Sequence, residues 1–373
     1  MAPVSPDMKI TGIRTRIITK SLEGAPRNPM MAWHSKSILL VFIHTDTGQV
    51  GIGEAWCDGG SPAVTARLLE EDLQPLLIGV NPQDYAWIWQ RLYETTTYSV
   101  RDGITFAALS GIDIALWDLL GKTYGVPVSR LLGCGRERVF AYASGGLYAD
   151  GKTAADVGRE MRGYADQGFR GVKLKVAGTH LREDVARVAA VREAVGPDVR
   201  IMVDAVYALD VPEAIRMARA LERYEIYFLE APVDPHNLSG LARVAKASPI
   251  PVAGNEFAYG RRQFKRILDR EAAEFVHLDA ILCGGITEAA RIAALADTYG
   301  VSCSYHAASS AVCFAANLHV AAATSNCDSV EYHMIHQMLF DQLPAATFRL
   351  DADGFIMVPP APGLGIPLEH LEQ

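Results

Sequence analysis
The chain has 373 residues, half of them hydrophobic, and a formal charge of −8. That length means two domains, or one large domain with an appendage, around a sizeable core. The acidic balance excludes a general nucleic-acid binder, although an anionic substrate stays open because the charge inside a pocket decides that.

In chain order, residues 10–18 and 37–44 read as antiparallel strands. The second ends in the turn Asp46-Thr47-Gly48, from which residues 50–55 return as a third strand. Residues 23–34 between the first two hold two prolines and a glycine and read as a loop. Its length, with Arg27, Trp33 and His34, points to a lid over a site. The pattern then turns helical over 66–77, 82–95 and 104–124, the last stopped by Gly125 with Pro127 behind it. Strands followed by helices make residues 1–135 an α+β unit.

From residue 139 strands and amphipathic stretches alternate. Strands are expected at 139–144, 171–176, 199–204, 227–230, 251–256, 275–279, 301–306 and 329–332. One intervening helix opens with Asp210-Val-Pro-Glu213, a capping box with proline in its first turn. Eight strands, each but the last followed by a helix, make residues 136–349 a (β/α)8 barrel whose eighth helix is weak or replaced. An open doubly wound sheet would show a glycine-rich phosphate turn after its first strand, and Ser144-Gly145-Gly146 matches that poorly. Residues 350–373 show little periodicity and are expected to rejoin the N-terminal domain. Cys57, Cys134, Cys283, Cys303, Cys313 and Cys327 form no Cys-x-x-Cys pair, which argues against zinc and a disulfide framework. No signal peptide is visible, and no apolar run approaches about 18 residues, so a cytoplasmic protein is expected.

Three of the strands end in a carboxylate: Asp204, Glu230 and Glu256, spaced 26 residues apart each time (204 to 230 to 256). Neighbouring parallel strands bring these ends to one face, where function concentrates in barrels. Three acids there repel strongly in a low dielectric unless a cation sits between them. A hard ion with oxygen ligands, such as Mg2+, fits. The same face receives Lys173 and Lys175 from the second strand, Asp279 from the sixth, His306 from the seventh and Glu331 from the eighth. The two lysines are two residues apart and share the inward side, with Val172, Leu174 and Val176 turned to the helices. Two inward ammonium groups disfavour each other's protonation, and desolvation adds to this, which readies one of them as a general base near neutral pH. His306, beside Asp279 on the neighbouring strand, reads as an imidazole whose tautomer and basicity the acid sets. Glu331 faces the lysines from across the barrel by strand count, and His333 and His336 read as loop residues.

The stretches Val-Lys-Leu-Lys-Val, Val-Asp-Ala, Leu-Glu-Ala-Pro, Pro-Val-Ala-Gly-Asn-Glu, Ser-Tyr-His and Val-Glu-Tyr carry these groups. Together with Gly284-Gly285-Ile286-Thr287-Glu288 after Asp279, the most specific of them, they resemble the enolase superfamily in its mandelate racemase branch. The resemblance spans nearly the whole chain. It implies a modified (β/α)8 TIM-type barrel under an N-terminal α+β capping domain that the C-terminal segment rejoins. It implies Mg2+ on Asp204, Glu230 and Glu256. It implies Lys175 as one acid/base, with Lys173 beside it, and the His306–Asp279 dyad as the other on the opposite face of the substrate. Glu331 would hydrogen-bond the substrate carboxylate as it becomes an enediolate.

The implied chemistry is removal of a proton α to a carboxylate, with the metal and a protonated Glu or Lys meeting the developing charge. If His306 then protonates a β-hydroxyl, an acid sugar loses water and becomes a 2-keto-3-deoxy acid. This is the expected reaction, as the activity such sequences are most commonly assigned. If His306 returns a proton to carbon, the enzyme is a racemase or epimerase of a 2-hydroxy acid. Val206 departs from the pattern, since many of the family carry a polar residue there, often Asn. Arg27, His34 and Trp56 in the cap loops are candidates for reading the far end of the substrate. A metal-free Schiff-base aldolase using Lys175 is a competing reading, which loss of activity in chelator would exclude. A non-catalytic barrel is another, which turnover would exclude. The expected partners are a small-molecule carboxylate and further copies of the chain as a homo-oligomer, with no nucleic acid and no membrane.

Overall fold
The structure, a computed structural model, describes residues 7–58, 60–99, 101–133, 135–340, 347–367 and 371; Cys134 lies outside these. The other five cysteines are free thiols. Strands β1 (Ile10–Ser21), β2 (Ser35–Thr45) and β3 (Val50–Ala55) form an antiparallel sheet in that order. Successive side chains of a strand point to opposite faces. On β2, Leu39, Val41 and Ile43 enter the core of the cap helices, whereas Ile38, Leu40 and Phe42 enter the core shared with the barrel. Burial on both faces is why the strand reads as a continuous apolar run and not as an alternation.

The helix Gly103–Tyr124 joins the two cores. It is 22 residues long, and its most apolar 18-residue stretch has a mean hydropathy of 1.5, enough by length and composition to cross a membrane, which corrects the expectation that no such run exists. Its most apolar stretch is 89% buried within the protein, and the helix packs against β3 and the helix Gly285–Thr298. A helix covered on all sides is apolar all round. Gly125 ends it with a φ of 70°. β3 approaches it closely: a Cβ on Gly51 would lie 2.2 Å from the Ala115 carbonyl oxygen, and one on Gly53 would lie 2.1 Å from that of Gly111. The obstacle is backbone and does not swing aside. Gly53→Ala is therefore expected to destabilise the protein by about 1–3 kcal/mol, seen as a lowered thermal midpoint.

Strands β4 (Arg138–Gly145), β5 (Gly171–Lys175), β6 (Arg200–Asp204), β7 (Ile226–Glu230), β8 (Val252–Gly254), β9 (Phe275–Leu278), β10 (Ser302–Tyr305) and β11 (Cys327–His333) pair in parallel in sequence order. β11 closes on β4, which makes an eight-stranded barrel. The capping box at Asp210 and Glu213 forms in both directions. After β9 the helix comes in two pieces, Ala280–Cys283 and Gly285–Thr298, because Gly284 at φ 116° breaks it. A 3-10 turn, Met334–Leu339, replaces the eighth helix. β12 (Phe355–Met357) pairs antiparallel with the first half of β4. Beyond it, the Gly363 carbonyl accepts from Val128 N at 2.9 Å, and Leu364 N donates to Asp118 of the cap helix at 2.8 Å. The C-terminal segment thus runs back to the junction of cap and barrel.

Several strands stop short of the expected ends. β8 ends at Gly254, so Glu256 lies two residues past it. Asp279 follows β9 and caps the short helix after it, accepting from Ile281 N at 3.1 Å. His306 follows β10. These groups sit in turns above the barrel rim, where backbone direction is set by loops and not by the sheet.

Candidate active site
The register of β5, β6 and β7 sets Lys175 beside Asp204 and Asp204 beside Glu230. Side-chain alternation turns Lys173 and Lys175 inward, while Val172, Leu174 and Val176 join the core under the helices. Asp204, Glu230 and Glu256 are all buried. Lys173 Nζ lies 2.5 Å from Glu230 Oε2 and 3.0 Å from Glu331 Oε1, and Lys175 Nζ pairs with Asp204 Oδ2. Glu230 Oε1 faces His277 Nδ1 at 2.9 Å, and His277 Nε2 meets the Tyr142 hydroxyl at 3.2 Å. Tyr142, Met202, Phe228 and Ala253 form the apolar floor beneath.

Burial alone would pull the Lys173 ammonium down, but the Glu230 and Glu331 carboxylates hold it well above its ordinary range. This corrects the expectation of a mutually discharged lysine pair for Lys173: the acids of β7 and β11 are nearer to it than any repulsion from Lys175 can offset. Burial raises Glu230, but His277 and Lys173 outweigh it and bring that carboxyl to about 2. Glu256 is pushed up, first by burial and then by Glu230. One buried oxygen, Glu256 Oε2, has no hydrogen-bond partner. A pair of neighbouring buried acids, one with such an oxygen, fits a cation. Ligand atoms of Glu230, Glu256 and His277 lie within 4.8 Å of one another. Asp204 is absent from that trio because its oxygens are turned to Lys175 and, at 2.8 Å, to Val206 N. For a hard cation the carboxylate is the better ligand, and His277 suits the task of orienting Glu230.

His306 Nδ1 meets Asp279 Oδ2 at 2.8 Å. Asp279 Oδ1 is held by Asn317 Nδ2 at 2.7 Å. Burial disfavours the imidazolium, but Asp279 and Glu331 prevail and raise His306 from an ordinary 6.5 to about 9. Glu331 Oε2 is 3.9 Å from His306 Nε2. Glu331 does not face the lysines from across the barrel: closure sets β11 next to β4, one strand from β5, and the carboxylate stands between Lys173 and His306. Burial would raise it, yet those two cations keep it well below the carboxylate range. Lys173, between Glu230 and Glu331, is a donor on that side.

Of the cap candidates, Trp56 reaches the site, its ring centroid 6.1 Å from that of His306. Arg27 pairs instead with Asp150 at 2.8 Å, and its backbone bridges to Tyr148 in the loop after β4. His34 is exposed. Sequence reasoning missed the cap residues Lys36 and Asp58, which pair with each other. It also missed Glu54, fully buried at the N-terminus of the helix Ala311–Ala323. Glu54 accepts there from Ser309 and Ser310 hydroxyls and, at 3.0 Å, from Cys313 N. His333 ends β11 and is not a loop residue, and His336 is buried in the turn after it. The signal for His277 and His333 was the same alternation that found the lysines, since each lies two residues from an inward acid.

Residues 14–133 match the mandelate racemase / muconate lactonizing enzyme N-terminal domain, and residues 156–371 match the enolase C-terminal domain-like family. The chain is 36% identical over 335 residues to an arabinonate dehydratase of Saccharolobus solfataricus, covering 90% of this chain and 89% of that one. It is 37% identical over 373 residues to a D-galactarolactone cycloisomerase of Agrobacterium fabrum, covering 97% of each. A crystal structure of a racemase from Streptomyces coelicolor with bound magnesium superposes with a TM-score of 0.86 at 28% identity, covering 96% of this chain and 97% of that one.

Proposed function
Since the chain belongs to the enolase superfamily, in its mandelate racemase branch, we propose that it abstracts the proton α to the carboxylate of an acid sugar and eliminates water to give a 2-keto-3-deoxy acid. The observation that carries this reading is the gathering of a buried lysine, Lys175, and a buried His306–Asp279 dyad at the barrel rim that carries three buried acids. A divalent cation such as Mg2+, held by Asp204, Glu230 and Glu256, supplies positive charge to the carboxylate oxygens of the substrate.

The chain's own groups do the rest. Lys175 takes the α-proton. Asp204 is its ion-pair partner and would also be a ligand of the cation. Lys173, a cation held by Glu230 and Glu331, donates toward the enediolate charge. His306 gives its proton to the departing β-hydroxyl, and Asp279 fixes its tautomer so that Nε2 faces the substrate. Similarity to an arabinonate dehydratase supports this fate of the enediolate. Similarity to the Streptomyces coelicolor racemase supports a second one, racemisation or epimerisation, in which His306 delivers its proton to carbon.

The test is a panel of mono- and diacid sugars with Mg2+, read for 2-keto-3-deoxy acid. Isomerised acid without keto acid would establish the second reading, and no change in any acid would remove both. If His306 acts as the acid, turnover should be full while it is protonated and should fall as pH rises through about 9. A pH–kcat profile checks this, and a rate that keeps rising well past that value would exclude His306 as the acid.

A further inference from the structure
Five polar side chains at the mouth of the barrel have no part in the chemistry above. Trp33, Lys36 and Asp58 come from the cap, and His333 and His336 from β11 and the turn after it. Lys36 is 3% exposed, pairs with Asp58, and holds Nζ 3.8 Å from the centroid of the Trp33 ring. The His333 and His336 rings are 4.5 Å apart. Glu331, Lys175 and Lys36 act electrostatically on His333, and Lys36, Glu331 and His306 on His336, so both the cap lysine and the reacting groups are within electrostatic reach of the pair. Burial keeps both imidazoles well below their ordinary range, hence neutral.

Trp33 Nε1, His333 Nδ1 and His336 Nδ1 are buried without a hydrogen-bond partner. Each such atom costs about 1–3 kcal/mol if nothing meets it. Three of them, one against Lys36 and two within its electrostatic reach beside an active site, point to a ligand that supplies the partners. We propose that Trp33, Lys36, Asp58, His333 and His336 bind the far end of the substrate, and that this end is a neutral hydroxylated chain, so that the substrate is an aldonic monoacid and not a diacid. The inference rests on the acid-sugar reading and narrows it.

The charges decide between the two classes. The Lys36 ammonium is offset by Asp58, and the imidazoles and the indole carry none, so the cluster is neutral as a whole. Among the described residues of this cluster a second carboxylate would meet no cation without a counter-charge, and it would face Asp58 in a low dielectric. Hydroxyl groups both donate and accept, which matches neutral imidazole nitrogens, an indole N–H, an ammonium and a carboxylate together. A site built to hydrogen-bond hydroxyls rejects a ligand that leaves those groups unpaired.

The experiment compares kcat/KM for acids that differ only at the last carbon: galactonate against galactarate, and gluconate against glucarate. The wild-type enzyme should favour the monoacid of the pair it accepts by roughly tenfold or more. Asp58→Asn keeps the shape and unmasks Lys36, so the preference should shift toward the diacid by about tenfold, mainly through its KM. If that variant does not fold, Lys36→Gln is the substitute and should shift the preference further toward the monoacid. His336→Phe should raise KM for the monoacid more than it lowers kcat. Equal use of both acids by the wild type, a preference for the diacid, or a ratio that the folded variant leaves unchanged would overturn the assignment. If neither member of any pair is turned over or exchanges its α-proton, the acid-sugar reading falls and this inference with it, a result distinct from equal use.

Discussion
Glu230→Gln should strip the protein of its metal and of nearly all turnover. Glu230 is 1% exposed and receives Lys173 at 2.5 Å on one oxygen and His277 at 2.9 Å on the other. The amide keeps the volume but loses the charge, and its NH2 must face one of two donors. Changing residues that merely support a metal ligand typically costs 10–100-fold in affinity or activity. Loss of a ligand should exceed that, so Mg2+ affinity should fall by at least about 100-fold, with a matching loss in kcat/KM. Breaking a buried ion pair costs about 3–5 kcal/mol, and the loss should sit at the low end because Glu331 stays 3.0 Å from Lys173. Calorimetric titration with Mg2+ and a thermal melt read the two effects separately. Unchanged Mg2+ binding would mean that Glu230 is not a ligand.

Lys175→Met should cut kcat by about 10^2–10^4-fold, the range for removing a positioned acid or base. Methionine fills much of the same buried volume without the amine. The cost in stability is that Asp204 loses its ion-pair partner, although Val206 N still donates to it at 2.8 Å. His306→Asn should lower kcat by a similar factor. It should fold, since Asp279 keeps Asn317 at 2.7 Å and Ile281 N at 3.1 Å. Steady-state kinetics on the acid sugar found in the panel measures both. Full activity in either variant would remove that residue from the chemistry.

What the sequence made legible was periodic. The alternation in Val-Lys-Leu-Lys-Val placed both lysines inward, and the even spacing of Asp204, Glu230 and Glu256 put three acids on neighbouring strand ends. The position of Glu331 was misjudged because strand count places the eighth strand far from the second, whereas closure of the barrel makes them near neighbours. The charge state of Lys173 followed from the same error, since the acid that helps hold its proton is Glu331. His277 and His333 were within reach of the alternation argument. Lys36, Asp58 and Glu54 were not, because their approach to the barrel depends on how the cap docks, and no local pattern encodes that. The helix Gly103–Tyr124 looked unremarkable by apolar run length, as Asp113, Asp118 and several small residues interrupt it, yet it is covered on every side.

The most direct test is hydrogen exchange at the α-carbon in D2O. Lys175 and His306 stand three strands apart around the barrel, on β5 and just past β10, with Glu331 of β11 between them. Each can reach only the α-proton on its own side of a bound substrate. With a substrate whose α-proton faces Lys175, the His306→Asn variant should still exchange that proton for deuterium with retention, while forming no keto acid. The Lys175→Met variant should show neither exchange nor product. Exchange that survives only when Lys175 is lost would make His306 the abstracting base for that substrate. Loss of exchange in both variants would contradict the two-sided mechanism outright.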